Sequence, residues 1–365
     1  MKQTLLMVLV FCTVIGGLYY WYNFLREFEL TFETNGGNEI VSLRLKHDDE
    51  IPELEIPTKE GFVFAGWYTD SLRTKPFTMN TMPAKPITLY ADWGTEGLLF
   101  VKVGSGYTAS IGTANASEIV IPKRYQGEIV NAIAYQGFQF NQVLKSIHIP
   151  NTVSIIGTRA FANSSLEQVI FEPDSGLHII DEEAFARSKI QAIVIPQNVT
   201  EIRFQAFLMC SDLASVTFEE GSRLRIIGVQ AFLHTPLLTS IILPDTVETV
   251  DHVAFANSGL TEFVVSSTSE LRIIGDMAFS YTSLTQFHFP SKLNYIGAGA
   301  FAETSLTAIY IPISVEIIRH NAFVLNTPHQ VFTLIYVEAE SKPTGWDNAW
   351  NSYSYPVVWN AGTDE

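Results

Sequence analysis

The chain has 365 residues, enough for two or three domains, and 47% of its residues are hydrophobic, which excludes a generally disordered protein. Its formal net charge of −16 argues against nucleic acid or an anionic lipid surface as the partner of its soluble part. The two cysteines, Cys12 and Cys210, lie in unlike surroundings, so no disulfide framework is expected and Cys210 is interpreted as a small buried residue.

Residues 1–27 are predicted to be a membrane anchor or a signal segment. Lys2 precedes an uncharged run that extends through an aromatic cluster to Arg26. A helix of about 20 residues crosses the hydrocarbon core of a bilayer, and aromatic residues are typical of its interface. We therefore expect a single-pass transmembrane helix with residues 28–365 outside the cell. The alternative is a cleaved signal peptide, which would make the protein secreted.

Residues 28–94 are predicted to form a small β domain. Apolar residues alternate at positions 28, 30 and 32 before the tight-turn signal Asn35-Gly36-Gly37. With Gly66-Trp67-Tyr68 and Leu89-Tyr90-Ala91-Asp92-Trp93, this stretch resembles the internalin B-repeat, also called the Listeria–Bacteroides repeat. The resemblance implies a β-grasp-like spacer or interaction module of bacterial surface proteins. Trp67 and Trp93 are interpreted as core residues, with a sugar-stacking platform as the alternative.

Residues 95–340 contain a sequence repeat of 22 to 25 residues. Each copy carries a small residue followed by phenylalanine. These pairs are Gly137-Phe138, Ala160-Phe161, Ala184-Phe185, Ala206-Phe207, Ala231-Phe232, Ala254-Phe255, Ala278-Phe279, Ala300-Phe301 and Ala322-Phe323. A period in this range indicates a solenoid, in which each coil buries its apolar face against its neighbours.

Within each copy, a β-branched aliphatic residue stands five positions before the phenylalanine, and a short strand with two alternating apolar positions lies upstream. Since stacked strands lie ~4.8 Å apart, the phenylalanines should form an aromatic ladder. The stretch SIHIPNTVSIIGTRAF at 146–161 resembles the BspA-like bacterial leucine-rich repeats. This resemblance implies a curved right-handed solenoid, with a strand on one face and turns or helical pieces on the other, in adhesins or interaction modules.

The predicted fold is therefore mainly β. It is a leucine-rich repeat solenoid with short helical turns, preceded by a small β-grasp-like domain and an N-terminal transmembrane helix. Residues 341–365 are expected to form a C-terminal cap in which tryptophans cover the last phenylalanine of the ladder, because open solenoid ends expose strand edges.

The sequence contains no pattern typical of catalysis or metal binding. There is no phosphate-binding loop, no Gly-x-Ser-x-Gly and no His-Glu-x-x-His, and the eight histidines lack ligand spacing. Acidic turn residues such as Glu172 and Glu219 are interpreted as solvated, with calcium binding as the alternative. We therefore expect no enzyme, no cofactor and no metal.

The residue between the two inward positions of each strand must point outward. That column is apolar for a solvent-exposed face, which reflects either the β-propensity of its residues or an interaction site. The first candidate ligand-binding patch is His288, Tyr310 and Tyr336, because tyrosine is common at binding hot spots. If these tyrosines belong to the cap, the candidate residues are Ile170, Val194, Ile242 and Val264.

The sequence thus favours a non-catalytic binding protein of the bacterial cell surface. Its predicted partner is a protein or extracellular matrix ligand on another cell surface, bound by adhesion or protein–protein interaction through the solenoid strand face. The alternative is a carbohydrate-binding or cell-envelope scaffolding module, with a glycan as the partner. No nucleic acid partner is expected.

Overall fold

The computed structural model describes residues 26–324 and 334–362. The chain divides into two compact units. The first consists of Met1–Glu96 and Arg124–Gly127, and the second of Gly97–Lys123 and Glu128–Glu365. The described residues of both units form strands, turns and bends, and none of them forms a helix.

The first unit contains a mixed sheet of four strands in the order β2-β1-β4-β3. Its strands are β1 (Glu27–Glu33), β2 (Leu43–Lys46), β3 (Phe62–Tyr68) and β4 (Ile87–Thr95). The predicted core residues Trp67 and Trp93 are buried, with 8% and 5% of their surface exposed, which confirms their interpretation as core residues. The indole Nε1 of Trp93 donates to the carbonyl of Thr34 at 2.8 Å, which fixes the predicted tight turn.

The second unit is a solenoid in which most coils contribute one longer and one shorter strand. The longer strands are β7 (Glu118–Val120), β10 (Ser146–Ile149), β12 (Gln168–Phe171), β14 (Ala192–Ile195), β16 (Ser215–Phe218), β18 (Ser240–Ile242), β20 (Glu262–Val264), β23 (Ala308–Ile311), β25 (Leu334–Val337) and β26 (Val357–Trp359).

The shorter strands continue a sheet that begins with the hairpin β5 (Leu99–Val103) and β6 (Gly106–Ser110) and the strand β9 (Glu128–Ile133). The shorter strands themselves are β11 (Ile155–Ile156), β13 (Ile179–Ile180), β15 (Glu201–Ile202), β17 (Ile226–Ile227), β19 (Thr249–Val250), β21 (Ile273–Ile274), β22 (Tyr295–Ile296) and β24 (Ile317–Ile318). Strand β8 (Arg124–Tyr125) belongs to the first unit.

The short-strand sheet is continuous from β24 to β5, whereas the longer strands form three separate sheets. Their orders are β16-β14-β12-β10-β7, β18-β20 and β23-β25-β26. Pairing is therefore lost between β16 and β18. It is also lost on both sides of segment 285–289, which follows β20 in the chain and is not a strand.

Two of the three places where pairing is lost follow coils with longer turns, whereas the third, between segment 285–289 and β23, follows a turn of four positions from Phe289 to Leu293. Ile149 stands four positions before the next core aliphatic, Val153, but Phe218 stands six positions before Leu224. Phe171 and Val265 also precede six-position turns. After Phe171 the pairing of β12 with β14 is reduced to one residue pair, and after the other two turns it is absent. The inserted residues displace the following strand, and parallel pairing fails there.

Nine stacked phenylalanines fill the centre of the solenoid, as predicted. The ring centroids of successive ladder residues from Phe138 to Phe323 lie 5.0 to 5.7 Å apart, with interplanar angles of 2° to 20°. All nine side chains are at most 1% exposed. Burial of each phenylalanine contributes about 1.5–3 kcal/mol to stability, so the ladder ties each coil to its neighbours.

The prediction of short helical turns is wrong. The N–H of Phe161 donates to the carbonyl of Ala184 in the next coil at 2.7 Å, whereas the N–H of Ala162 donates to Arg159, three residues earlier, at 3.1 Å. Arg159 and Asn163 adopt φ angles of 57° and 56°. An α-helix would keep these N–H groups within the segment and would need negative φ throughout. Coil-to-coil hydrogen bonds therefore take the place of the helical pieces.

The fold prediction needs a second correction, because the part of the chain that the structure describes contains no helix long and apolar enough to cross a membrane. The transmembrane helix is predicted within residues 1–27, of which residues 1–25 lie outside the described residues and Glu27 begins β1.

Tryptophans cover the end of the ladder, as expected for the cap. Trp350 meets the ring of Phe323 edge-on at 6.3 Å, and Trp346 donates from Nε1 to the carbonyl of Val315 at 3.0 Å. Both indoles are buried, with 3% of Trp346 and 5% of Trp350 exposed. Within the region expected to form the cap, β26 adds a further longer strand beside β25, which the sequence did not predict because the repeat period is lost there.

Candidate functional site

The candidate site is the outward column of the longer strands, which we call the strand-face column. Parallel pairing places its members side by side, as in Val194 with Thr217, Ile242 with Val264, and Tyr310 with Tyr336. The residues that flank each member point inward; Ile193 and Ile195, for example, are 2% and 0% exposed. Strand alternation therefore separates the core from the column, as the sequence predicted.

The column is exposed along most of its length. Val194 is 51% exposed, Ile242 72%, Val264 39% and Tyr310 39%. Ile170 and Tyr336 are half-buried, and His288 is exposed. Thus the structure places all seven predicted site residues at the surface, although Ile170 and Tyr336 offer less area than the others.

The tyrosines at the C-terminal end of the column form a stacked pair. The ring centroids of Tyr310 and Tyr336 lie 4.4 Å apart, and the ring planes are inclined by 5°. His288 belongs to segment 285–289 and not to a strand, so it lacks the strand pairing that joins the two tyrosines. All three residues nevertheless line one groove, and neither tyrosine is buried under the C-terminal tryptophans.

Two grooves open where the longer strands lose their pairing. The first, here called the aliphatic groove, has a volume of about 540 Å³ and is lined by Thr217, Phe218, Glu219, Ile242, Pro244 and Asp245 among others. The second, here called the aromatic groove, has a volume of about 680 Å³ and is lined by Ser267, Gln286, His288, Tyr310, Tyr336 and Glu338 among others. Both volumes lie in the range of ligand-binding clefts.

The acidic turn residues have structural partners. The Glu172 carboxylate lies 2.8 Å from Nζ of Lys123, which is only 2% exposed, and Glu219 accepts the N–H of Gln197 at 2.8 Å. These carboxylates therefore hold neighbouring coils together, besides facing solvent. Among the described residues, no three His, Cys, Asp or Glu side chains are placed to hold a metal ion.

Cys210 is buried, as predicted, within the column of small residues that follows the ladder. Its Sγ donates to the carbonyl of Phe185 at 3.1 Å, and burial raises the pKa of the thiol to about 12. A neutral, inaccessible thiol is a poor nucleophile and a poor metal ligand. Cys210 therefore belongs to the core of the solenoid.

Sequence reasoning missed two features of the surface. Val358 extends the strand-face column, because it pairs with Tyr336. A second apolar column runs along the short-strand sheet, where Ile155, Ile226 and Ile273 are 37%, 39% and 41% exposed. Its sequence signal is the isoleucine that directly precedes the core aliphatic in these copies. The short-strand column is thus the rival of the strand-face column as an interaction surface.

Two family descriptions match the sequence of the chain. The BspA type leucine rich repeat region, in 6 copies, matches residues 131–261 and 221–328. The Listeria-Bacteroides repeat domain matches residues 28–92.

The solved structures to which the chain is similar include the pneumococcal vaccine antigen PcpA, which is 18% identical with a TM-score of 0.44, over 69% of this chain and 87% of that one. Another is a leucine-rich repeat protein from Bacteroides ovatus, which is 23% identical with a TM-score of 0.45, over 66% of this chain and 70% of that one.

Two relatives come from Evansella cellulosilytica. A "Putative Gly-rich membrane protein" is 27% identical over 136 residues, which are 36% of this chain and 15% of the relative. A "Putative membrane protein" is 36% identical over 70 residues, which are 19% of this chain and 10% of the relative. The chain thus spans only a small part of the length of either relative. The repeat matches, in contrast, run without a gap from residue 131 to 328, more than half of the chain, and the chain therefore belongs to the BspA-type leucine-rich repeat proteins.

Proposed function

We propose that the protein is a non-catalytic binding protein of the cell surface that attaches to a protein on another cell. The observation that carries this proposal is the exposed aliphatic part of the strand-face column, formed by Val194, Ile242 and Val264. The family supports the coarser part of it, because leucine-rich repeat proteins are typically binding scaffolds.

The aliphatic residues of the column are suited to bury apolar surface of a partner. Single exposed apolar side chains are common on soluble proteins, but Ile242 and Val264 are neighbours on paired strands. The aliphatic groove, to which Ile242 belongs, provides a concave surface whose lining also includes the carboxylates of Glu219 and Asp245. A hydrophobic centre with a polar rim is the usual anatomy of a protein–protein interface.

Ile170 and Val194 extend this surface along the solenoid. Val194 is 51% exposed, whereas Ile170 is half-buried and is expected to contribute less. Successive coils repeat the same outward position, so a partner would contact a row of similar side chains. We place the centre of the protein-binding surface at Ile242, because 72% of its side-chain surface is exposed.

The test compares two isoleucines of equal exposure. Ile242 and Ile313 are both 72% exposed, but only Ile242 belongs to the strand-face column. The labelled full-length chain is titrated onto intact epithelial cells and cells of a second bacterial species. Ile242→Ser should weaken binding by at least ~2 kcal/mol, or about 30-fold, the usual size of a hot spot.

Ile313→Ser serves as the matched control and should leave the affinity within about threefold. Treating the target cells with protease should abolish binding of the unmodified chain, because the proposed partner is a protein. Equal losses in both variants, or binding that survives the protease, would contradict the proposal.

A further inference from the structure

We propose that the aromatic groove is a second binding site, which takes a neutral, linear oligosaccharide. This site lies toward the C-terminal end of the strand-face column and uses residues that the protein-binding proposal does not use. The two proposals can therefore succeed or fail independently.

The aromatic surface of the groove is the first argument. Tyr310 and Tyr336 stack at 4.4 Å with nearly parallel rings, and Tyr310 remains 39% exposed. Sugar rings carry C–H groups on their faces, and these pack well against the electron-rich face of an aromatic ring. Stacking covers the faces that the two rings turn toward each other, so the face offered to a ligand is the one on Tyr310 that points away from Tyr336. Because each tyrosine holds the other in place, little side-chain entropy would be lost on binding.

Neutral hydrogen-bonding side chains surround this aromatic surface. Ser267, Thr285, Gln286 and His288 line the groove and are exposed. The carboxylate that lines the groove, Glu338, accepts the N–H of Ile313 at 2.8 Å and so has a structural role. Hydroxyl, amide and imidazole groups match the hydroxyl groups of a sugar.

The charge of the chain excludes a strongly acidic glycan. With a formal net charge of −16, the protein repels anionic ligands, and among the described residues no lysine or arginine lines the aromatic groove to offset that repulsion. The aliphatic groove differs, because it carries Ile242 with two carboxylates, Glu219 and Asp245. Neutral sugar chemistry is therefore favoured in the aromatic groove, and a protein partner is favoured in the aliphatic one.

The floor of the aromatic groove is rigid. Phe287 is 6% exposed and meets Phe279 and Phe301 edge-on at 5.3 and 4.9 Å. Phe289 contacts Phe301 in the same way at 5.4 Å. The loss of strand pairing at segment 285–289 therefore opens the groove without loosening the core beneath it. A preformed cleft avoids much of the ordering cost of binding.

The groove runs across successive coils. Its lining extends from Ser266 through Gln286 and Tyr310 to Tyr336, so four consecutive coils contribute to it. A cleft that extends over several coils is longer than a single sugar ring, and we therefore propose a linear chain and not a single sugar.

The experiment probes the full-length chain on an array of neutral linear, sialylated and sulfated glycans, followed by calorimetry with the best neutral hexasaccharide. Tyr310→Ala should lower the affinity at least about tenfold, whereas Tyr310→Phe, which keeps the ring, should stay within about threefold. Gln286→Ala, an exposed change that spares the tyrosine stack, should also weaken binding, by about threefold or more.

Ile242→Ser is the control and should leave glycan affinity unchanged, since it lies in the aliphatic groove. Thermal melting verifies that each variant is folded; if Tyr310→Ala fails to fold, Gln286→Ala decides. Absence of any neutral glycan among the bound ones, preference for sulfated or sialylated glycans, full affinity in folded Tyr310→Ala and Gln286→Ala, or capture of a protein in place of the glycan would each overturn the proposal.

Discussion

In the coils from Phe138 to Phe301, the residues two positions before and two positions after the ladder phenylalanine adopt positive φ angles. The residues before it are Gln136, Arg159, Glu183, Gln205, Gln230, Val253, Met277 and Gly299, and those after it are Phe140, Asn163, Arg187, Met209, His234, Asn257, Tyr281 and Glu303. This conformation costs non-glycine residues about 1–2 kcal/mol each, and the coil-to-coil hydrogen bonds offset the cost.

Val253 is the position where this backbone cost is highest. It has a φ of 59°, and a β-branched side chain is strongly disfavoured in the left-handed region. Val253→Asn should therefore raise the free energy of unfolding by about 1 kcal/mol, measured by urea denaturation. The reverse exchange at the other left-handed residue of the same coil, Asn257→Val (φ 53°), should lower the free energy of unfolding by a similar amount. A destabilised Val253→Asn would show that backbone strain is not the dominant cost here.

The inward residues could be predicted from the sequence, but the left-handed residues could not. Buried positions require apolar side chains at a fixed spacing, so the sequence pattern predicts directly that Ile156 and Phe161 point inward. Arg159 and Asn163 have positive φ because their N–H groups donate to Glu182 and Ala186 of the next coil. That requirement comes from the neighbouring coil, and arginine, glutamate or valine at such a position gives no local signal of it.

At the scale of the elements, the ladder holds the coils together. Phe232 is 0% exposed and lies between Phe207 and Phe255, at centroid distances of 5.0 and 5.1 Å. Phe232→Ala should leave a cavity and cost ~3–5 kcal/mol in the free energy of unfolding. His252→Ala, at an exposed residue of the neighbouring coil, should change it by no more than ~0.5 kcal/mol. Equal denaturation midpoints for the two variants would refute the stacked core at this coil.

The length of the turn that follows each longer strand is a sequence signal for the breaks between these strands. The six-position turns after Phe171, Phe218 and Val265 can be counted in the sequence, and each precedes a shortened or missing strand pair. Whether a longer turn weakens strand pairing or abolishes it depends on where the next strand can still lie. That position is determined by two neighbouring coils together. For that reason the alternation of residues predicted the strand-face column, whereas the two grooves within it were found only in the structure.

At the scale of the whole molecule, the solenoid presents two apolar columns, and we assign ligand binding to the strand-face column. The short-strand column is flanked by ion pairs, such as Arg225 with Glu248 at 2.7 Å and Arg203 with Glu201 at 2.9 Å. These solvent-exposed pairs would have to be desolvated by a partner, which costs free energy. The strand-face column also carries ion pairs, such as His148 with Glu118 at 3.0 Å, but it differs in lying beside two preformed grooves.

Site-specific photocrosslinking tests this assignment most directly. Val264 on the strand-face column and Ile226 on the short-strand column are both 39% exposed, so a benzoylphenylalanine at either site is equally accessible. The full-length chain carrying one such residue is bound to intact cells and irradiated. We expect a covalent adduct with a cell-surface protein from position 264 and none from position 226. An adduct from position 226 with none from position 264 would contradict it.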